Sequence, residues 1–269
     1  MVSKKQFAVL AVTLMALVSI NCKAQTPAAA PAAAPAPAPA VAPAAPAPAP
    51  TAAPAAAAPA AGGAGSITGK VTFTGTPPAM APLKREADPF CGKTKMTDQE
   101  VLVNANGTLK NVYVRISQGA QPAAAPATPA IVDQSNCMYI PRVVAVMKGQ
   151  KVLVRNSDPV LHNVHTYVGT ATGFNQAMFK GMKDIEKTFD QVGVTKFKCD
   201  VHPWMTGWVG VSDNPYFAVT GDDGSFTLAN VPAGAYTVEA WHEKYGSKTV
   251  QVTVAAGQPA AAAFAYAAQ

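Results

Sequence analysis

From Ser66 onward the chain alternates apolar and polar residues in short runs, the two-residue period of half-buried β-strands. Ser66 to Gly75 alternates and stops at Thr76-Pro77-Pro78. Leu109 to Ile116 alternates after the turn signal Asn106-Gly107. Val143 to Val146 and Lys151 to Arg155 flank Lys148-Gly149-Gln150, which reads as a turn between two strands. Thr195 to Lys198 and Trp208 to Val211 bracket a short loop. Phe217 to Thr220, Ser225 to Leu228, Tyr236 to Trp241 and Thr249 to Val254 complete the series, punctuated by Gly221-Asp222-Asp223-Gly224 and Val231-Pro232-Ala233-Gly234. The one stretch with helical character is Ala177 to Lys187. The pattern predicts an all-β chain of sandwich type.

Before Ser66 the pattern is different. Lys4 and Lys5 precede an apolar run from Phe7 to Ile20, too short for a comfortable membrane span, and this predicts an export signal over 1–24. Cys22 after such a run reads as the acceptor of a lipid anchor. The competing reading is cleavage after Ala24, with Cys22-Lys23-Ala24 as a small-x-small site. Residues 25–65 are almost only Ala and Pro, a composition that buries no core and predicts a disordered, polyproline-like spacer. The formal net charge of +6 falls once the signal is removed. That mild excess, without an aromatic-basic stripe, argues against a nucleic-acid partner.

Cysteines carry the chemistry. Cys199-Asp200-Val201-His202-Pro203-Trp204-Met205 places a thiol, an imidazole and a thioether on one loop, and His162 lies well upstream in Leu161-His162-Asn163-Val164-His165. A thiolate, two imidazoles and a weak axial thioether are the donor set of a blue-copper site, so the metal is expected to be one copper held by His162, Cys199, His202 and Met205. His165, three positions after His162, falls on the opposite face of a strand and reads as a supporting residue, with a role as the true first ligand as the alternative. Of the four cysteines, Cys22 is lipidated or removed and Cys199 is claimed by metal. Cys91 and Cys137 remain, an even pair in an oxidising compartment, and a disulfide between them is predicted.

The segment from about Tyr139 to Val211 resembles the cupredoxins, the plastocyanin and amicyanin family. The resemblance rests on Pro141, Gly149-Gln150-Lys151-Val152, Asn156-Ser157-Asp158, His162-Asn163-Val164-His165 and the Cys199 loop, whose Cys-x₂-His-x₂-Met spacing looks most like amicyanin. It implies a Greek-key β-sandwich, type 1 copper, and an Asn (Asn156 or Asn163) orienting the ligand strands. Phe217 to Ala256 resembles a carboxypeptidase-regulatory-like module, a small prealbumin-type sandwich, through Thr220-Gly221-Asp222-Asp223-Gly224-Ser225-Phe226 and Val231-Pro232-Ala233-Gly234-Ala235-Tyr236. Such modules begin with strands like Ile67 to Gly75 and Val112 to Ile116, which here precede the copper region. The expected organisation is therefore 66–128 as the first strands of an outer sandwich, 129–213 as the copper domain inserted into or packed on it, and 214–269 as the outer sandwich's C-terminal part. Three units in tandem are the alternative.

These readings predict an extracytoplasmic one-electron carrier, not an enzyme, in the periplasm or as an outer-membrane or cell-surface lipoprotein. Its expected partners are a redox protein such as a c-type cytochrome or a dehydrogenase, and the membrane if Cys22 is acylated. The alternatives are a periplasmic copper-handling protein without redox work, and a carbohydrate-binding-like adhesion module. His242 reads as a polar tip at a strand end, and Trp204 and Trp208 as packing over the metal end.

Overall fold

The computed structural model describes residues 63–268. The export signal, Cys22 and the Ala/Pro segment up to residue 62 lie outside the described residues. Within them the chain is all-β. Two strands come first, β1 (Gly65–Thr74) and β2 (Tyr113–Gln118). Nine follow: β3 (Ala130–Ser135), β4 (Met138–Ile140), β5 (Val143–Met147), β6 (Val152–Asn156), β7 (His162–Val168), β8 (Ala171–Met178), β9 (Ile185–Lys187), β10 (Gly193–Lys198) and β11 (Thr206–Ser212). The last five are β12 (Phe217–Val219), β13 (Ser225–Val231), β14 (Gly234–His242), β15 (Gly246–Val254) and β16 (Pro259–Ala267).

The pairing sorts them into two sandwiches. The outer one has sheets β13-β1-β16 and β12-β2-β14-β15; the inner one has sheets β4-β3-β6-β9 and β5-β11-β10-β7-β8. β1 and β2 are completed only by strands that follow the inner sandwich, so the inner sandwich is an insertion in the outer one. β1 runs parallel to β16 from Ser66↔Pro259 to Thr74↔Ala267. Alternation makes that pairing productive: Ile67, Val71 and Phe73 point inward from β1, and Ala262, Phe264 and Tyr266 from β16. Gly69 is required there, because a Cβ on it would lie 1.7 Å from the carbonyl oxygen of Ala262.

Ala177 to Lys187 is not helical. It contributes the end of β8, a turn with Gly181 at φ +78°, and β9. Pairing of Met178 with His162 on β7 and of Ile185 with Val154 on β6 overrides local helix preference. Lys148-Gly149-Gln150 does turn the chain, but β5 and β6 do not pair. β5 lies parallel to β11 and β6 parallel to β3, so the turn crosses between the two sheets.

His242, at the end of β14, is not an exposed tip. It is 1% exposed, stacks on Tyr245 with ring centroids 5.1 Å apart, and accepts a hydrogen bond at Nδ1 from the Lys244 N–H (3.1 Å). Burial, helped by the Arg142 cation, lowers its pKa from 6.5 to about 4. Between those two values the unfolded chain binds the proton and the folded chain does not, so stability falls as pH drops from 6.5 toward 4. The loss approaches about 3 kcal/mol. Urea unfolding at pH 7 and pH 4.5 should show His242→Asn losing less stability than the parent by about 2 kcal/mol.

Candidate metal centre

Strand alternation aims the central thiol. On β10, Phe197 faces the inner core, packed among Tyr139, Phe174 and Phe189 at centroid distances of 5.8, 6.4 and 5.9 Å. Cys199 is two positions further on and therefore points the same way, fully buried with a free thiol. The loop after it closes tightly: Cys199 N–H donates to the Met205 carbonyl (3.2 Å), Met205 N–H to the His202 carbonyl (2.9 Å), and His202 N–H to Cys199 Sγ (3.4 Å). His162, the first residue of β7, comes in from the neighbouring strand. Tyr139 ties that strand to β10 by donating from its hydroxyl to the Asn163 carbonyl (2.6 Å), beside the Lys198 carbonyl at 3.1 Å. Its side chain is packed close against Gly207, where a Cβ would sit 2.8 Å from the tyrosine Cβ.

The result is a convergence of donors. The Nδ1 atoms of His162 and His202 are 2.9 Å apart, and His202 Nδ1 is 3.7 Å from Cys199 Sγ. His162, Cys199 and Met205 have no exposed surface and His202 has 2%. Met205 belongs to the same buried cluster as Cys199. Three of the four predicted ligands thus present donor atoms to one point, and the fourth is buried on the same loop.

The other edges of both rings are held by carboxylates. Asp158 Oδ2 is 2.8 Å from His162 Nε2, and Asp158 itself accepts the backbone N–H groups of Asn136 and Cys137 at 2.7 Å each. Asp88 Oδ2 is 3.3 Å from His202 Nε2. Burial alone would depress the His162 imidazole, but its hydrogen bonds to Asp158 and Cys199 outweigh that and raise its pKa. Burial alone would raise the Cys199 thiol, yet hydrogen bonds from His162 and nearby backbone N–H groups lower it, which favours the thiolate a metal needs. His202 is depressed, first by burial, with Asp88 opposing.

Cys91 and Cys137 form a disulfide, with Cα atoms 5.7 Å apart. It lies directly behind the site, Cys91 Sγ being 3.6 Å from His202 Nε2. Two other groupings of metal-ligating residues, Asp88–Cys91–His202 and Cys137–Asp158–His162, each include a sulfur spent in this bridge. Among the described residues, only the Cys199 group offers a thiolate. His165 points away from it, with Nδ1 3.0 Å from Asp200 Oδ2 and 2.8 Å from the Tyr167 hydroxyl. Asn163 accepts the Asp200 N–H and so ties the cysteine loop to β7, while Asn156 donates to the carbonyls of Val160 (2.9 Å) and Met178 (2.8 Å). Trp204 packs on His202 at 5.1 Å and donates to the Cys137 carbonyl (3.0 Å). Trp208 instead packs on Trp241 of the outer sandwich at 5.0 Å. Cys22 lies outside the described residues. Sequence reasoning missed Asp88, whose stretch carries no local motif.

The donor chemistry fits copper. One soft sulfur, two imidazole nitrogens and a thioether suit a copper ion, whereas Mg²⁺ and Ca²⁺ require oxygen. Among solved structures, the chain is similar to a purple cupredoxin from Nitrosopumilus maritimus, 27% identical, covering 31% of this chain and 99% of that one with a TM-score of 0.28. It is also similar to amicyanin from Paracoccus versutus, 25% identical, covering 37% of this chain and 97% of that one with a TM-score of 0.30. No curated protein matches the chain in sequence. Residues 209–267, which carry β12 to β16 of the outer sandwich, match the family model of the carboxypeptidase regulatory-like domain.

Proposed function

We propose that the protein is an extracytoplasmic one-electron carrier with a single type 1 copper held by His162, Cys199, His202 and Met205. The observation that carries this reading is the meeting of a buried free thiol with two imidazole Nδ1 atoms 2.9 Å apart. Copper bound there would supply exchange between its Cu(I) and Cu(II) states. The chain's own residues do the rest. Cys199 supplies the thiolate, β7 holds the His162 ring and the closed loop after Cys199 holds the His202 ring, and the sandwich leaves all four donor residues 2% exposed or less. A donor set held this firmly supports a small rearrangement on redox change and leaves no room for a substrate, which favours a carrier over an enzyme.

The reading extends to partners. A depression of about 650 Å³, lined by Lys84, Asp88, Val201, His202, Pro203 and Trp204, leads from the surface down to the His202 ring. It reaches one of the two imidazoles and is where a redox protein, of c-type cytochrome or dehydrogenase kind, would dock. Export, with or without a lipid on Cys22, belongs to the same reading. The test is a Cu(II) titration of the purified protein followed by spectroscopy through cycles of reduction and oxidation. An intense visible band should appear at one equivalent, vanish on reduction and return on oxidation with the metal retained. Colourless binding with metal released on reduction would point to copper handling instead.

A further inference from the structure

We propose that Asp88, carried by the β1–β2 connection that packs on the inner sandwich, is a positioning residue for the His202 imidazole, so that the inserted metal site is completed by a segment that precedes it in the chain. The proposal rests on the copper reading above. Asp88 lies in the connection between β1 and β2, 114 positions from His202. Its two oxygens have separate work. Oδ1 accepts the backbone N–H groups of Phe90 (2.8 Å) and Cys91 (3.1 Å), which fixes the carboxylate's orientation. That leaves Oδ2 aimed at His202 Nε2, 3.3 Å away.

The segment that carries Asp88 is fastened twice to the inner sandwich. Cys91 is bonded to Cys137. Arg85, 1% exposed, donates to the Thr94 carbonyl (2.9 Å) within the segment and to the Asn136 carbonyl across it. Asn136 and Cys137 in turn donate their N–H groups to Asp158, the carboxylate behind His162. The backing of both rings therefore runs through one stapled unit built from the β1–β2 connection and the inner sandwich.

The geometry sets the chemistry. With Nδ1 of His202 turned to the thiolate, Nε2 carries the ring proton and donates it to Asp88. A carboxylate accepting from the far side of an imidazole fixes the ring and makes it a stronger donor. A stronger nitrogen donor favours the more highly charged Cu(II) over Cu(I). Asp88 should thus hold the reduction potential down, and neutralising it should raise it.

The experiment compares the copper-loaded full chain with Asp88→Asn and Asp98→Asn. Asparagine keeps Oδ1 for the turn and turns an amide N–H toward Nε2–H. Asp98 sits on the same segment and caps the Glu100 N–H with Oδ1 (2.9 Å), an acceptor that asparagine also keeps, so its variant reports the loss of a charge on that segment without any change at the ring. Asp88→Asn should shift the Cu(I)-to-Cu(II) affinity ratio at least tenfold toward Cu(I), about 59 mV upward for a one-electron couple. Asp98→Asn should shift it less than threefold. Pulsed EPR should show an altered remote-nitrogen coupling for one imidazole and an unchanged one for the other. Asp88→Ser, which keeps a capping oxygen and removes the one at the ring, should shift the ratio in the same direction even if Asp88→Asn folds poorly. A blue protein whose potential is unmoved by both Asp88 variants, or moved equally by Asp98→Asn, overturns the proposal and leaves the copper reading standing. A parent protein that takes up Cu(II) without the visible band overturns both.

Discussion

Replacing Cys199 by serine should abolish the intense visible band of the Cu(II)-loaded protein and weaken Cu(I) binding by more than tenfold. The band requires charge transfer from a sulfur 3p orbital to copper, and a serine hydroxyl neither ionises nor supplies it. The environment of Cys199 is what makes the parent capable. The thiol is fully buried, its pKa is lowered by the hydrogen bonds that surround it despite that burial, and the His202 N–H is already directed at its sulfur. Serine differs by a single atom and can accept the same N–H, so the fold should survive at a cost of about 1 kcal/mol. The control is His165→Asn. That ring faces Asp200 and Tyr167 on the other side of β7, and its loss should leave the band's intensity and position in place. Absorption spectra of the two variants at equal copper loading decide the matter. Bleaching by the His165 change, with colour kept by the Cys199 change, would remove the basis of the copper assignment.

The parts of this arrangement differed in how far they could be read from the chain alone. Cys199, His202 and Met205 were legible because three donor types stand on one short loop whose flanking strands alternate cleanly. Asp88 was not. Nothing in Ala87-Asp88-Pro89-Phe90 distinguishes it from an ordinary turn, and its relation to His202 exists only once β1 and β2 have been assembled with strands from the far end of the chain. β16 was overlooked for a related reason. Its alanines have weak strand preference, and only Ala262, Phe264 and Tyr266, spaced by two, disclose the buried face that β1 supplies the partner for. The helical look of Ala177 to Lys187 failed because it weighed local preference alone. Met178 is fully buried opposite His162, a position no isolated helix would create. Insertion of one sandwich in another was legible in outline, since Ile67 to Gly75 and Tyr236 to Trp241 look like pieces of one module cut apart.

Glu243→Gln should destabilise the folded protein by about 3–5 kcal/mol, because it breaks a buried ion pair at the junction of the two sandwiches and leaves its partner uncompensated. Arg142, just before β5 of the inner sandwich, and Glu243, just after β14 of the outer one, have side chains 7% and 5% exposed. Their contact is bidentate: Arg142 Nη2 donates to Glu243 Oε2 at 2.8 Å while Nε donates to Oε1. Trp208 Nε1 donates to the same Oε2 at 3.0 Å, and the Trp208 ring packs on Trp241. Glutamine matches the shape but removes the charge and one acceptor. The Arg142 guanidinium would then sit buried without its counterion, and the Trp208 and Arg142 donors would compete for one oxygen. Removing both charges together should be far less harmful. Arg142→Met with Glu243→Gln should cost about 2 kcal/mol less than the two single changes added, since neither ion is then left alone. Chemical denaturation of the parent, both single variants and the double variant measures this directly. A single-variant loss below about 1 kcal/mol would mean that water already reaches the pair, as at an exposed bridge. A loss of the expected size, with the midpoint lowered and the slope unchanged, would show that the desolvated pair stabilises the fold at the junction of the two sandwiches within a single cooperative transition.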